Sequence, residues 1–253
     1  MDDKYIYIYG RHAVEEAILH RPDVVKILYL RDDVRDDFPV ALKSKVPQLK
    51  VFSGKKLPVP VDSEVVHQGI LAKIDREALL LSYEAFMANI EVTSDSCFVV
   101  LGELQDPHNV GAVIRSAAAF GASAIFLPKH RQVSLTAAVV KVSAGMAFRM
   151  PLVEVGNVNR TIEGLKEAGC FVYGLAGEGK QSLFIERFTK PTVFVLGNEA
   201  DGIREKTREH CDMLLHIPMH PRCESLNASV SAAIALATWS AQHRDALLNK
   251  LPT

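Results

Sequence analysis

The chain has 253 residues, 48% hydrophobic and 23% charged, with a net charge of -1. That is ordinary globular composition, enough for one large domain or two modest ones. It excludes a generally basic nucleic-acid binder, so any RNA contact has to come from local patches. The four cysteines, Cys97, Cys170, Cys211 and Cys223, show no CxxC spacing. They read as reduced, mostly buried thiols of a cytosolic protein. No apolar run approaches the roughly 18 residues that span a membrane. The acidic start, Asp2-Asp3, carries no signal-peptide core, so a cytoplasmic protein is expected.

Residues 5–9 form a β-prone run of tyrosine and isoleucine that ends at Gly10. Residues 11–19 then read as a helix, with Val14, Ala17 and Ile18 on one face. Strands are expected at 24–30, 49–52 and 67–74, with an acidic turn at 32–37 and a short helix near 39–46. Residues 1–75 thus make a small α/β domain. The weakly patterned stretch 76–96 reads as a linker.

From Cys97 the rhythm is strand then helix. Strands are expected at 97–102, 124–127, 170–175, 192–196 and 213–218. Helices are expected at 110–120, 135–146 with Ser134 as cap, 158–168 capped by Asn157, and about 226–247. Residues 180–188 read as a connection. Such alternation predicts a mostly parallel sheet covered by helices over residues 97–253.

Three polar clusters follow predicted strands, where open α/β sheets bind ligands. The first is Asp106-Pro107-His108-Asn109-Val110-Gly111, leading to Arg115. Asn109 is either a helix cap or a group at the helix mouth that shares a ligand with Arg115. The second is Gly197-Asn198-Glu199-Ala200-Asp201-Gly202, after the apolar run ending in Leu196. Its two glycines admit close backbone approach, and Glu199 either favours a helix N-terminus or meets the ligand. It is neither GxGxxG nor a P-loop. The third is Ser225-Leu226-Asn227-Ala228-Ser229, opening a long apolar helix. Ser225 can simply cap that helix, yet polar groups beside Leu226 suit a small ligand with an apolar base. Cys211, His216, His220 and Cys223 have spacings reminiscent of zinc ligands, but a buried strand between the first two would separate them, so no metal is expected.

Together and in this order, the clusters resemble the SpoU (TrmH-type) family of RNA ribose 2'-O-methyltransferases, part of the knotted SPOUT superfamily. The first motif matches at Asn109, Gly111 and Arg115, followed by Phe120-Gly121. The second matches at Leu196-Gly197, Glu199, Gly202-Ile203 and Ile217-Pro218-Met219. The third matches at Ser225-Leu226-Asn227 and Ser229. Tyr9-Gly10-Arg11-His12-Ala13-Val14 and His67-Gln68-Gly69-Ile70 are similar to the ribosomal-protein-like domain of the bacterial 23S ribosomal RNA guanosine methylases. Ala228, Thr238-Trp239-Ser240 and Phe148-Arg149 depart from common family choices.

The resemblance implies a parallel α/β sheet with a deep trefoil knot, a homodimer packed through the knotted domain, and S-adenosylmethionine as cofactor. Leu196, Gly197, Ile217, Met219 and Leu226 would hold the cofactor, largely through backbone groups. Asn109, Arg115, Glu199, Ser225 and Asn227 would form the reaction centre. Arg115 would hold the phosphate beside the target ribose, since guanidinium is effectively always protonated and a poor base. Glu199 would orient Asn109 or accept the proton. His12, His67 and Gln68 would contact an unpaired RNA loop. Arg11, Lys43, Lys45, Lys50, Lys55 and Lys56 are either phosphate contacts or a solvated basic face. The expected substrate is a guanosine of 23S ribosomal RNA. The rivals are the same chemistry on transfer RNA and a non-catalytic ribosome-assembly factor.

Overall fold

The computed structural model describes residues 4–54, 57–61, 65–130, 132–198 and 201–248. The first unit runs β1 (Tyr5–Tyr9), α1 (Arg11–His20), β2 (Val25–Arg31), α2 (Asp32–Arg35), α3 (Val40–Lys43), β3 (Leu49–Phe52), β4 (Ile70–Asp75) and α4 (Arg76–Leu79). Its sheet order is β1-β4-β2-β3, with only the β2–β3 pair parallel. The period of two explains the packing: Ile6 and Ile8 join the main core, while Tyr7 and Tyr9 lie on the other face with Tyr29 and Leu71.

Two local expectations change here. The stretch expected as a strand over 67–74 is extended only from Ile70, because Gln68 and Gly69 turn with φ of 55° and 75°. The acidic run at 32–37 begins as α2 rather than as a plain turn. Asp32 and Asp33 sit in its first turn, where the helix dipole favours carboxylates.

Residues 76–88 carry secondary structure of their own. After α4, β5 (Leu81–Ser82) pairs in parallel with a strand at 152–155, and α5 (Tyr83–Ala88) follows. The Phe86 ring meets Phe126 edge-on at 5.5 Å and Phe98 at 6.4 Å. Packing of that half-buried aromatic side chain holds the segment against the sheet.

The second unit continues with β6 (Cys97–Leu101), α6 (Pro107–Ala119), β7 (Ala124–Pro128), α7 (Ala137–Val142), β8 (Leu152–Val155), α8 (Val158–Glu167), β9 (Phe171–Leu175) and β10 (Gln181–Ser182). It ends with β11 (Thr192–Leu196), α9 (Glu205–His210), β12 (Met213–His216) and α10 (Ala228–Gln242). The eight strands are all parallel, in the order β10-β12-β9-β11-β6-β7-β8-β5. Every residue of β6, β7 and β11 is buried, as strands covered on both faces require. Cys97, Val99 and Leu101 point toward α6, α7 and α10, whereas Phe98 and Val100 point toward α5 and α8. No helix among the described residues is long and apolar enough to cross a membrane.

The strand order reverses around β11, which is inserted between β9 and β6. Loops after β9, β11 and β12 therefore converge at one end of the sheet, beside the start of α6. That crevice is the ligand position of open α/β sheets.

Several helix boundaries move. α6 starts at Pro107 and is capped by Asp106, whose side chain accepts from the His108 N–H at 2.8 Å. α7 is shorter than the expected 135–146 and is capped by Thr136, not Ser134. Ala144 and Gly145, at φ of 51° and 78°, stop it. α10 begins at Ala228 under an Asn227 cap, so Ser225 and Leu226 belong to the preceding loop.

Candidate active site at the carboxyl ends of the parallel strands

β11 delivers Leu196 and Gly197 to the crevice. A Cβ on Gly197 would lie 2.0 Å from the carbonyl carbon of Gly202, so only glycine fits. The turn closes on itself: the Asn198 N–H donates to the Gly202 carbonyl at 3.1 Å, and the Gly202 N–H returns the bond at 3.2 Å. Gly202 adopts a positive φ of 66°. On the neighbouring strand end, a Cβ on Gly102 would stand 2.4 Å from the Leu196 carbonyl oxygen. Glycines thus let two strand ends and a folded turn share one narrow place. Glu199 lies outside the described residues.

These loops enclose a cavity of about 490 Å³. Leu196, Gly197, Ile217, Met219 and Leu226, the five expected cofactor residues, all line it, as do Ser225 and Asn227. Leu175, Ile203 and Leu215 extend the apolar wall, and Asp201, Glu178 and Glu224 add carboxylates at its rim. An apolar slot with a few polar groups is the usual design for a small ligand of this volume. Glu178 is paired with Arg208 of the same lining, and the remaining carboxylates, Asp201 and Glu224, favour a cationic one.

Asn227 stands at the junction of this cavity with α6. Its Oδ1 accepts the Ser229 N–H at 2.8 Å and the Ser229 hydroxyl at 2.6 Å. Its amide nitrogen donates to Asn109 Oδ1 at 2.8 Å. Asn109 is not the cap of α6; it lies in the first turn, 6% exposed. Arg115, farther along α6, is exposed and has no hydrogen-bonded or charged partner among the described residues. The two residues do not stack, but both lie on the helix that borders the crevice. Ser225 is exposed, and its carbonyl accepts from the Cys223 thiol at 3.2 Å.

Glu178 and Arg208 were not foreseen from the sequence. They form an ion pair between the loop after β9 and α9, and both line the cavity. The Arg208 Nε also donates to the Ile203 carbonyl at 2.6 Å. The signal was present in the strand pattern, since β9 ends beside β11 and its following loop must reach the same crevice.

In the small domain, the Arg11 N–H donates to Gln68 Oε1 at 3.0 Å, and the Gly69 N–H donates to His67 Nδ1 at 3.0 Å. Arg11, His67 and Gln68 therefore share one edge. His12 turns the other way, with Nε2 3.1 Å from the Ala144 carbonyl oxygen of the second domain. Lys55 and Lys56 lie outside the described residues.

Comparison with known proteins matches residues 96–237 to the SpoU rRNA Methylase family. Residues 7–79 match a domain described as RNA 2'-O ribose methyltransferase substrate binding. The 23S rRNA (guanosine-2'-O-)-methyltransferase RlmB of Pseudomonas syringae pv. tomato is 38% identical over 234 residues, covering 90% of this chain and 92% of that protein. RlmB of Yersinia pestis is 38% identical over 233 residues, covering 90% and 94%. Among solved structures, the SpoU methyltransferase AviRb from Streptomyces viridochromogenes in complex with AdoMet superposes with a TM-score of 0.81 at 24% identity, covering 95% of this chain and 91% of that one.

Proposed function

Because the chain belongs to the SpoU rRNA methylase family, we propose that it methylates the ribose 2'-hydroxyl of a guanosine in 23S ribosomal RNA, with S-adenosylmethionine as donor. The observation that carries this reading is the Asn227–Asn109 hydrogen bond, which fastens two of the three polar clusters at the mouth of the cavity. The relatives that match nearly the whole chain are named for this substrate and this reaction.

The cavity suits the cofactor. Its apolar wall offers an adenine site, its backbone-rich strand ends offer hydrogen bonds, and its rim carboxylates complement a sulfonium cation. When bound, the cofactor supplies an activated methyl group on sulfur. The chain itself then has to align the hydroxyl and manage one proton. Alignment accounts for a large share of such a barrier. Arg115, exposed on the helix that Asn227 ties to the cavity mouth, holds the phosphate next to the target ribose. Asn109, fixed by Asn227, orients the hydroxyl. Glu199 accepts the proton or orients Asn109, a role assigned from its sequence position alone. Ser225 orders the loop and meets the substrate.

The small domain supplies RNA affinity through the edge of Arg11, His67 and Gln68. The reading includes a homodimer: Phe184, Ile185 and Val230 expose 55%, 68% and 45% of their surface near α10, and a second copy would cover them. It also includes the trefoil knot in the sheet domain and a cytoplasmic location where ribosomal RNA is processed.

The test is incubation with methyl-labelled cofactor and, separately, unmodified ribosomal RNA and transfer RNA, followed by alkaline digestion. A 2'-O-methyl group blocks attack on the adjacent phosphate. Label in resistant ribosomal RNA dinucleotides is the expected result. Label only in transfer RNA would move the substrate, and binding of RNA without transfer to either would favour an assembly factor.

A further inference from the structure

The small domain docks on the sheet domain through α1. Arg149 Nε and Nη2 donate to the two carboxylate oxygens of Glu16 at 2.7 and 2.9 Å. Glu16 is 6% exposed, so a carboxylate there needs a partner. The surrounding contacts are shaped to the same docking. His12 meets the Ala144 carbonyl, and Lys141 Nζ stands 5.6 Å above the Tyr9 ring. A Cβ on Gly145 would fall 2.8 Å from the Glu16 Cβ, so α1 approaches as closely as glycine permits.

The segment that receives α1 continues directly from α7, and α7 packs on α6. A Cβ on Gly111 would lie 2.7 Å from the Val142 Cβ. Gly111 sits between Asn109 and Arg115, and Arg115 is one helical turn farther on the same face. The docked domain is therefore braced against the helix that carries two reaction-centre residues. On the other side of the joint, Arg11 follows directly into His12 at the start of α1.

We propose that Arg149 is a positioning residue: its fork on Glu16 locks the small domain to the α6–α7 pair, so that one RNA segment is gripped in fixed register by the Arg11, His67 and Gln68 edge and by Arg115. The substrate in this inference rests on the methylation reading above. A bidentate guanidinium–carboxylate pair fixes angle as well as distance, which suits a joint that must hold register. Two grips on one rigid body raise each other's effective concentration, whereas a loose joint forfeits that gain. A loosened joint raises KM for RNA and leaves the chemical step alone.

The experiment uses the full chain with Glu16→Gln, Arg149→Ala and the double variant. Glu16→Gln keeps the side-chain shape and guards against simple unfolding, which thermal melts monitor. Three quantities are measured: methyl transfer at varied ribosomal RNA, cofactor affinity, and the radius of gyration by X-ray scattering. KM for RNA is expected to rise about tenfold in all three variants, because one contact is lost in each. The kcat at saturating RNA and the cofactor Kd stay within about twofold, and the radius of gyration grows. KM values within about twofold of the parent, single effects that multiply in the double variant, or unchanged scattering would each overturn the proposal. If the parent transfers no methyl to any RNA, the functional reading fails by itself, and scattering then decides whether the clamp exists.

Discussion

Asn227 donates its side-chain amide to Asn109 Oδ1 at 2.8 Å across 118 residues of sequence, while its own Oδ1 takes both the N–H and the hydroxyl of Ser229. One residue therefore caps α10 and ties it to the first turn of α6. Asn227→Asp separates these roles, because aspartate keeps the cap acceptor and loses the donor. Asn109 can meet that carboxylate only by turning its amide over, which re-aims the group proposed to orient the hydroxyl. Stability should stay within about 0.5 kcal/mol, since aspartate caps as well as asparagine. Methyl transfer should fall on the order of 100-fold. Asn227→Ala should lose activity and also about 1 kcal/mol of stability. Thermal melts beside transfer assays check both, and an Asp variant with full activity would remove the positioning role.

Arg115 predicts the opposite balance. It is exposed and makes no described contact, so Arg115→Ala should shift stability by no more than about 0.5 kcal/mol. Cofactor affinity should be unchanged, while methyl transfer is lost by about 1,000-fold or more, as when a positioned charge at a reacting centre is removed. Calorimetric titration of the cofactor with a parallel single-turnover assay measures the pair. Equal loss of binding and turnover would mean that Arg115 shapes the cavity rather than gripping the substrate.

Much of this was legible in the residues. The apolar runs of β6, β7 and β11 mark a sheet buried on both faces, and the polar clusters after Leu101, Leu196 and Ile217 mark its ligand end. All five expected cofactor residues reach one cavity. What the pattern could not show depends on partners far away in sequence. Ala144 and Gly145 end α7 early in left-handed backbone, where α1 packs closely against Gly145, and nothing local announces Glu16 as its neighbour. Asp106, not Asn109, caps α6, since the proline at its first position allows the helix to begin earlier than the apolar pattern does. Glu178 escaped notice because its loop carries no apolar period, although the strand before it points to the crevice.

Residues 81–88 give a prediction about where the second domain begins. A chain shortened to start at residue 80 keeps β5 on the sheet edge and Phe86 against Phe98 and Phe126. A chain that starts at residue 97 loses both and leaves those two buried rings without their cover. Phe86 is only half-buried, so losing it costs about 2 kcal/mol, below the range for a fully buried phenylalanine. For a domain of this size that lowers Tm on the order of 5 °C. Differential scanning calorimetry of the two shortened chains is the check. Equal melting temperatures would return the segment to the status of a tether.

The four thiols should separate cleanly by environment. Burial pushes Cys170 up to about 11 and Cys211 up to about 12, the latter with help from Asp212. Burial beside Cys170 holds Cys97 well above the usual thiol range. Only thiolate attacks an electrophile, so these three should stay nearly inert at pH 8, with on the order of one part in 1,000 ionised or less. Cys223 is exposed, and its sulfur donates to the Ser225 carbonyl in the loop that lines the cavity. A maleimide should therefore modify Cys223 first, with one equivalent consumed before the rest, as peptide mass spectrometry would resolve. On the proposed cofactor reading, S-adenosylmethionine should slow that reaction, because a ligand in the cavity lined by Glu224 and Ser225 crowds the approach to the neighbouring thiol. Raising the pH toward 11 should bring in Cys170 before Cys211. Protection of Cys223 without any cofactor, or rapid labelling of Cys97, would contradict the burial on which the order depends.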